Sequence, residues 1–229
     1  TMGGVLILCE VLLPTFLFAK LNNVYVQIIF LSTIWMGIIG FLDDYLKIIK
    51  KLEKGLIARY KLTGQILLGS AISFWIYTSP EFSEIRTITS IPFLKNSIID
   101  FGIFYPFIII LVITGTSNAV NLTDGLDGLA SGLLAIAFTV FAAITYISGR
   151  VDFSSYLNIL YLPGIGELSI FASAMAGACL GFLWFNSAPA QIFMGDVGSL
   201  STGAALGTLA IFLKKELLLF IIGGVFVWE

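Results

Sequence analysis

Residues 23–55 read NVYVQIIFLSTIWMGIIGFLDDYLKIIKKLEKG. Positions 23–42 carry no charged side chain, and a helix of that length reaches across the roughly 30 Å hydrocarbon layer of a bilayer. Asp43 and Asp44 end the run, and Lys47, Lys50, Lys51 and Lys54 follow them. An apolar run that stops at a cluster of charge reads as a helix that crosses a membrane and surfaces at Asp43.

Working outward, apolar windows recur at 3–19, 23–42, 62–79, 102–119, 129–148, 168–185, 198–213 and 216–229, about eight segments in all. Of the 229 residues 58% are hydrophobic and 11% charged, against about 25% charged for a soluble domain. The mean hydropathy is +1.01. No strand-like alternation covers the windows, so the spanning elements are helices and the fold class is an all-α polytopic membrane protein. The repeats GACLG (177–181) and GAALG (203–207) place small residues one turn apart, a pattern suited to close helix packing. Net charge is −2, with no basic tail and no zinc pattern, so nucleic acid is not an expected partner. Cys9 and Cys179 fall inside apolar runs and read as packing residues. The chain opens on Thr1-Met2 without a signal-peptide n-region and stops roughly 14 residues into an apolar run, short of the ~20 that span. The expectation is one transmembrane domain over 1–229, an internal fragment truncated at both ends.

Alternation assigns sides. One side receives the start of the chain and loops 43–61, 120–128 and 186–197; the other receives 20–22, 80–101, 149–167 and the link at Lys214–Lys215. Lys and Arg divide six to six, but Lys47, Lys50, Lys51, Lys54, Arg59 and Lys61 crowd into one loop, which favours the first side as cytoplasmic. On the opposite side SEIRTITSIPFLKNSIIDFG alternates β-branched residues and suggests a small hairpin at the membrane surface.

The acids are then informative. Asp43, Asp44, Asp124, Asp127 and Asp196 all return to the first side, from three separate loops. Carboxylates converging there repel one another unless a cation intervenes, and an oxygen-rich cluster suits Mg²⁺. If residues 43–54 are helical, Asp43, Lys47, Lys50 or Lys51, and Lys54 share one face; the bland alternative is a solvated amphipathic helix or lysines on anionic lipid. In NAVNLTDGLDG (118–128), Asn118, Asn121, Asp124 and Asp127 recur every third residue and fan across half a helix. Asp124 as a cap and Asp127 at N3 would account for the acids alone, whereas amides in apolar surroundings call for a polar ligand. In FNSAPAQIFMGDVGSLSTG, Asp196 lies in a Gly-flanked turn and reads either as a helix cap or as a metal ligand, Asn186 closes the preceding segment, and Phe193 reads as interface anchor or stacking platform. Glu10 lies inside an apolar run, as a helix–helix contact or the mark of a transporter.

Taken together, TMGG, GFLDDYLKI…KGLIARYKLTGQ, NAVNLTDGLDGLASG and NSAPAQIFMGDVGSL resemble the polyprenyl-phosphate N-acetylhexosamine-1-phosphate transferase superfamily. The resemblance runs along essentially the whole chain. The NLTDGLDGLA and DDYLK forms resemble the branch that uses a phospho-N-acetylmuramoyl-pentapeptide donor more than the N-acetylglucosamine-1-phosphate branch. It implies a ten-helix fold, of which this fragment holds helices two to nine, in the bacterial cytoplasmic (inner) membrane with the site on the cytoplasmic face. It implies an enzyme of peptidoglycan synthesis. With Mg²⁺ as cofactor, phospho-MurNAc-pentapeptide passes from UDP-MurNAc-pentapeptide to undecaprenyl phosphate, giving lipid I and UMP. A homodimer is compatible with it. The family's histidine-rich loop has no counterpart here, since the chain has no histidine.

Carried onto matching positions, the resemblance makes Asp43, Asp44 and Asp196 catalytic, with Asp196 the Mg²⁺ ligand and the adjacent aspartates handling the lipid phosphate. Lys47, Lys51 and Arg59 would contact diphosphate or lipid phosphate. Asn118, Asn121, Asp124 and Asp127 would line the nucleotide and diphosphate site, Phe193 would stack on uracil, Asn186 would support the metal region, and Thr1 would belong to the nucleotide-side loop. The rivals are an N-acetylglucosamine-1-phosphate transferase and an ion-coupled transporter; the latter predicts midplane acids and an internal repeat, neither of which the sequence shows as a pattern.

Overall fold

The computed structural model describes residues 2–51, 55–92, 94 and 97–228. Its elements are helices α1 (Gly4–Phe18), α2 (Val24–Ile48), α3 (Ala58–Thr78), α4 (Tyr105–Thr123), α5 (Leu129–Ser148), α6 (Val151–Leu157), α7 (Leu168–Asn186), α8 (Gly195–Phe212) and α9 (Glu216–Trp228). One antiparallel pair joins them, β1 (Ile88–Ser90) with β2 (Ile98–Asp100), in the register Thr89 to Ile99. The hairpin therefore forms where β-branched alternation suggested it. Among the described residues, four helical stretches are long and apolar enough to cross a membrane: Val24–Ile48, Gly102–Thr123, Leu129–Ser148 and Ile165–Asn186. Helix α6 was not anticipated; it is seven residues long and closed by Asn158 in the left-handed region, φ 52°.

The centre of the bundle is α8, in which every residue from Val197 to Phe212 is buried. Its hydroxyls enter the core because each finds a carbonyl within its own helix: Ser201 donates to Val197 O (2.6 Å), Thr202 to Gly198 O (2.7 Å) and Thr208 to Ala204 O (2.8 Å). Glycines bring the neighbours in. A Cβ at Gly203 would lie 2.7 Å from Ser117 Cα on α4, and one at Gly40 on α2 would lie 2.2 Å from Asp196 O. GAALG thus packs as its spacing predicts, whereas added Cβ atoms at Gly177 and Gly181 of GACLG meet no atom within 4 Å. The close-packing expectation for GACLG therefore finds no partner among the described residues, because α7 turns that face outward.

Helices run alternately up and down. At one end Asn23 caps α2 by accepting from Tyr25 N (2.9 Å) and donates to Gly164 O (2.8 Å), while Lys20 pairs with Glu167 (3.3 Å). The hairpin closes the same end, with Ser90 N donating to Lys214 O (2.9 Å). Cys179 is buried and Cys9 exposed, so only the former is a packing residue. The opposite end collects the polar islands.

Candidate functional site

Several helix boundaries differ from the expected windows, and three matter most: the end of α2, the start of α3 at Ala58 rather than 62, and the end of α4. Helix α2 runs on past its apolar stretch to Ile48 and then stops, with Lys51 at φ 52°. The stripe Asp43–Lys47–Lys50/51–Lys54 is therefore helical only through Lys47; Lys50 and Lys51 lie beyond the helix end, and Lys54 lies outside the described residues. Helix α4 continues to Thr123, so Asn118 and Asn121 sit on its last turns and Asp124 and Asp127 in the turn before α5.

Asp43 and Asp44 are buried at the end of α2 and meet Asp196 in the first turn of α8. One carboxylate oxygen from each lies within 4.8 Å of the others. Two unit charges that close repel by about 3 kcal/mol at an effective dielectric of ~20, and two ammonium groups counter them. Lys61, on the first turn of α3, lies 3.0 Å from Asp43 Oδ1 and also binds Asp196 Oδ2. Lys47 pairs with Asp43 Oδ2 and stands 3.4 Å from Asp196 Oδ2. Three carboxylates against two lysines leave one negative charge.

The adjacent aspartates do different work. Both oxygens of Asp44 face the start of α8, accepting from Asp196 N (3.3 Å) and Val197 N (3.2 Å), so Asp44 caps that helix through space. Asp43 Oδ1 accepts from Leu56 N (2.7 Å), while its Oδ2 is buried beside the Lys47 ammonium without a directed hydrogen bond. That oxygen retains lone pairs, and the donor set is all hard carboxylate oxygen. Such a set fits Mg²⁺ or a similar divalent cation, which Asp43 and Asp196 would hold in place of part of their pairing with Lys47 and Lys61.

The fan on α4 distributes itself over the neighbours. Asn118 exchanges hydrogen bonds with Gln65 of α3 (3.1 and 3.2 Å), and Asn121 donates to Asp196 Oδ1 (3.1 Å) and Ser199 Oγ (2.8 Å). Asp124 accepts from Gly195 N (3.1 Å) and Asp127 from Ala190 N (3.0 Å). The alternative reading, Asp124 as a cap of α5, does not hold: that helix starts from Gly128, φ 75°, with no side-chain cap, because the turn points both acids toward the loop before α8. The amides of Asn118 and Asn121, which on sequence grounds call for a polar ligand, find their partners within the protein. The Asp124 carboxyl is pushed up to about 7, chiefly by burial and further by the nearby Asp196 and Asp44, against the opposing Gly195 N–H.

Asn186 is a strut at the end of α7. It accepts from Gly128 N (3.1 Å) and Ser131 Oγ (2.9 Å) and donates to Ile192 O (2.9 Å), all far from the carboxylate cluster in bonding terms. Phe193 is 44% exposed, and its carbonyl accepts from Gly3 N (3.1 Å). Lys51 and Arg59 are exposed and, among the described residues, form no ion pair with the carboxylates; the phosphate contacts that the resemblance implies for them would be made to substrate. Thr1 lies outside the described residues. Sequence reasoning passed over Lys61, Gln65 and Ser199. The signal for the first two was their spacing: Lys61 and Gln65 are one turn apart at the mouth of an apolar segment, where both face the bundle.

Residues 26–214 match the family described as Glycosyl transferase family 4. Over all 229 residues the chain is 54% identical to a phospho-N-acetylmuramoyl-pentapeptide-transferase of Thermodesulfovibrio yellowstonii, covering 63% of that protein. It is 49% identical to the protein of the same name from Chlorobium chlorochromatii and 47% to that from Chlorobaculum parvum, covering 62% of each. The chain thus spans less than two thirds of the length of these relatives. A match over most of its length, with the polar islands inside it, establishes that the chain belongs to glycosyl transferase family 4.

Proposed function

We propose that the full-length protein transfers phospho-N-acetylmuramoyl-pentapeptide from its UDP donor to undecaprenyl phosphate, releasing UMP and forming lipid I for peptidoglycan. The observation that carries this is the meeting of Asp43, Asp44 and Asp196 beside Lys47 and Lys61 at one end of an apolar helix bundle. A soluble nucleotide sugar and a lipid phosphate can meet only at a membrane face. The relatives' names supply the donor class.

In the transfer an oxygen of the lipid phosphate forms a bond to the donor's β-phosphorus while the bond to the UMP oxygen breaks. The lipid phosphate is already largely ionised at neutral pH, its second pKa being about 6, so no side chain needs to remove a proton from it. Lys47 and Lys61 offer positive charge to the phosphates, and Asp44 holds the first turn of α8 so that Asp196 is fixed. Asn121 orients Asp196 through Oδ1. Asp43 and Asp196 are the residues that would hold Mg²⁺, which would lower the repulsion between the two anionic substrates. Asp124, Asp127 and Phe193 border the same end and are assigned to the nucleotide, Asn118 and Asn186 to supporting it, Lys51 and Arg59 to the diphosphate or lipid phosphate, and Thr1 to the nucleotide-side loop.

All the long helices are read as crossing the bacterial cytoplasmic membrane in alternation, about eight spans in one domain. The lysines and arginine crowded into residues 47–61 favour the cytoplasmic face for the site. The test uses the full-length parent in nanodiscs with UDP-MurNAc-pentapeptide, undecaprenyl phosphate and Mg²⁺. UMP release should need Mg²⁺ and fall at least 100-fold in Asp196→Asn. Release unaffected by the substitution would remove Asp196 from the metal site; release from UDP-GlcNAc alone would move the protein to the other donor branch.

A further inference from the structure

Gln65 follows Lys61 by one turn of α3, on the same face of the helix, and is fully buried. A buried amide is costly unless it is paired, and an apolar side chain there would carry no such cost. Among the described residues Gln65 takes both its side-chain hydrogen bonds from one partner on α4. It donates to Asn118 Oδ1 (3.2 Å) and accepts from Asn118 Nδ2 (3.1 Å). Two opposed bonds between the same two amides form in a single register of α3 against α4, whereas apolar side chains alone accept small slides; a buried polar pair of this kind specifies register.

Both helices so joined reach the same carboxylate. On α3, Lys61 binds Asp196 Oδ2; on α4, Asn121, three residues past Asn118, donates to Asp196 Oδ1 (3.1 Å). The two oxygens of Asp196 are therefore held from two helices, and the amide pair braces those helices one turn deeper. The ring closes from Asp196 through Lys61, Gln65, Asn118 and Asn121 back to Asp196. Helix α3 begins with no side-chain cap, so its first turns take their place from cross-links of this kind. Trp35 of α2 adds another, donating from Nε1 to the Gly64 carbonyl (3.0 Å).

We propose that Gln65 is a positioning residue: through Asn118 it fixes the span between Lys61 and Asn121 and so aims both at Asp196. Gln65 bonds to none of the three carboxylates itself. What it controls is the place of the Lys61 ammonium, which competes with a divalent cation for Asp43 Oδ1 and Asp196 Oδ2 and offers positive charge to a phosphate. The effect on turnover rests on the transferase reading above; the effect on metal binding does not.

The test uses the full-length protein in nanodiscs, with Gln65→Met, Lys61→Met, the two combined, and Asn118→Leu. Mg²⁺ affinity is read without substrate, from the rise in Tm across a Mg²⁺ titration. Once the brace is gone Lys61 draws away from the carboxylates, so Gln65→Met and Asn118→Leu each tighten Mg²⁺ binding about threefold, and the double variant binds it no more tightly than Lys61→Met alone. In the same preparations kcat for UMP release falls about tenfold in Gln65→Met, with KM for UDP-MurNAc-pentapeptide changed by less than about twofold. An amide with a merely structural role loosens the whole site and weakens Mg²⁺ binding; that sign, an unchanged affinity, or effects of Gln65→Met and Lys61→Met that add would each overturn the proposal. Asn118→Leu breaks the same pair from an exposed position, so a folding failure of Gln65→Met leaves the cycle measurable from α4. A parent that releases no UMP would end the transferase reading, and the Mg²⁺ titrations would still decide this one.

Discussion

Asp43 and Asp44 are neighbours in sequence with separate tasks, since one turns its carboxylate to the amides that open α8 and the other to Lys61 and Lys47. Sequence reading found the pair but could not divide the work, because their roles depend on what α8 and α3 place opposite them. It also favoured Lys51 and Arg59 over Lys61. A charge beside a motif is visible in sequence, whereas the turn at Leu56 that sends Lys61 back to Asp43 is not. The fan of Asn118, Asn121, Asp124 and Asp127 was legible as a fan, but the protein partners of each residue were hidden. Asp124 allows a test at this scale. Its pKa of about 7 in the folded protein stands above the ~3.9 of an unfolded aspartate. The associated stability is therefore complete below about pH 4 and is lost as pH rises from there to about 7, by at most about 4 kcal/mol. Thermal unfolding in EDTA should show Asp124→Asn more stable than the parent at about pH 8 and nearly equal to it at about pH 3. Equal stability at both values would mean that the carboxyl titrates normally.

GAALG and GACLG look alike in sequence, yet one brings α8 against α4 and the other faces outward from α7. Spacing reports that a helix can be approached closely; it does not report by what. The windows were otherwise good guides because long apolar runs dominate their surroundings, and the errors lay at helix ends, where α2 and α4 carry polar residues onward in helical form. The α4–α8 seam gives the second prediction. Gly203→Ala would put a methyl group 2.7 Å from backbone atoms of α4, so the helices must separate, at a cost of roughly 1–3 kcal/mol. Denaturation in mild detergent should show that loss, while Gly181→Ala, with open space around it, should not show the same clash within this part of the chain.

For the molecule as a whole, alternation was the most reliable inference, because each crossing reverses direction and five acids far apart in sequence return to one end. The carboxylate site joins α2, α3 and α8, with α4 attached through Asn121. A cation bound there would link elements that otherwise touch mainly through apolar surface, and ligands that bind only the folded state stabilise it by mass action. Mg²⁺ at 100 times its dissociation constant should add about 2.7 kcal/mol, seen as a rise in Tm for the full-length protein. The rise should vanish in Asp196→Ala and persist in Asn186→Ala, whose strut lies apart from the cluster. A shift that survives Asp196→Ala would place the ion elsewhere.

Helix α8 is wholly enclosed, and its interior is rich in glycine, serine and threonine; it is not among the stretches apolar enough to cross a bilayer on composition. Leaving the ribosome alone, such a segment would partition poorly into lipid. It follows α1, α2 and α4 in the order of synthesis, and these form the slot that receives it. The carboxylate that completes the site therefore arrives on a helix whose own insertion depends on the earlier ones being correctly placed. Biogenesis would then act as a quality check: a chain whose first helices are misplaced leaves Asp196 apart from Asp43 and Asp44.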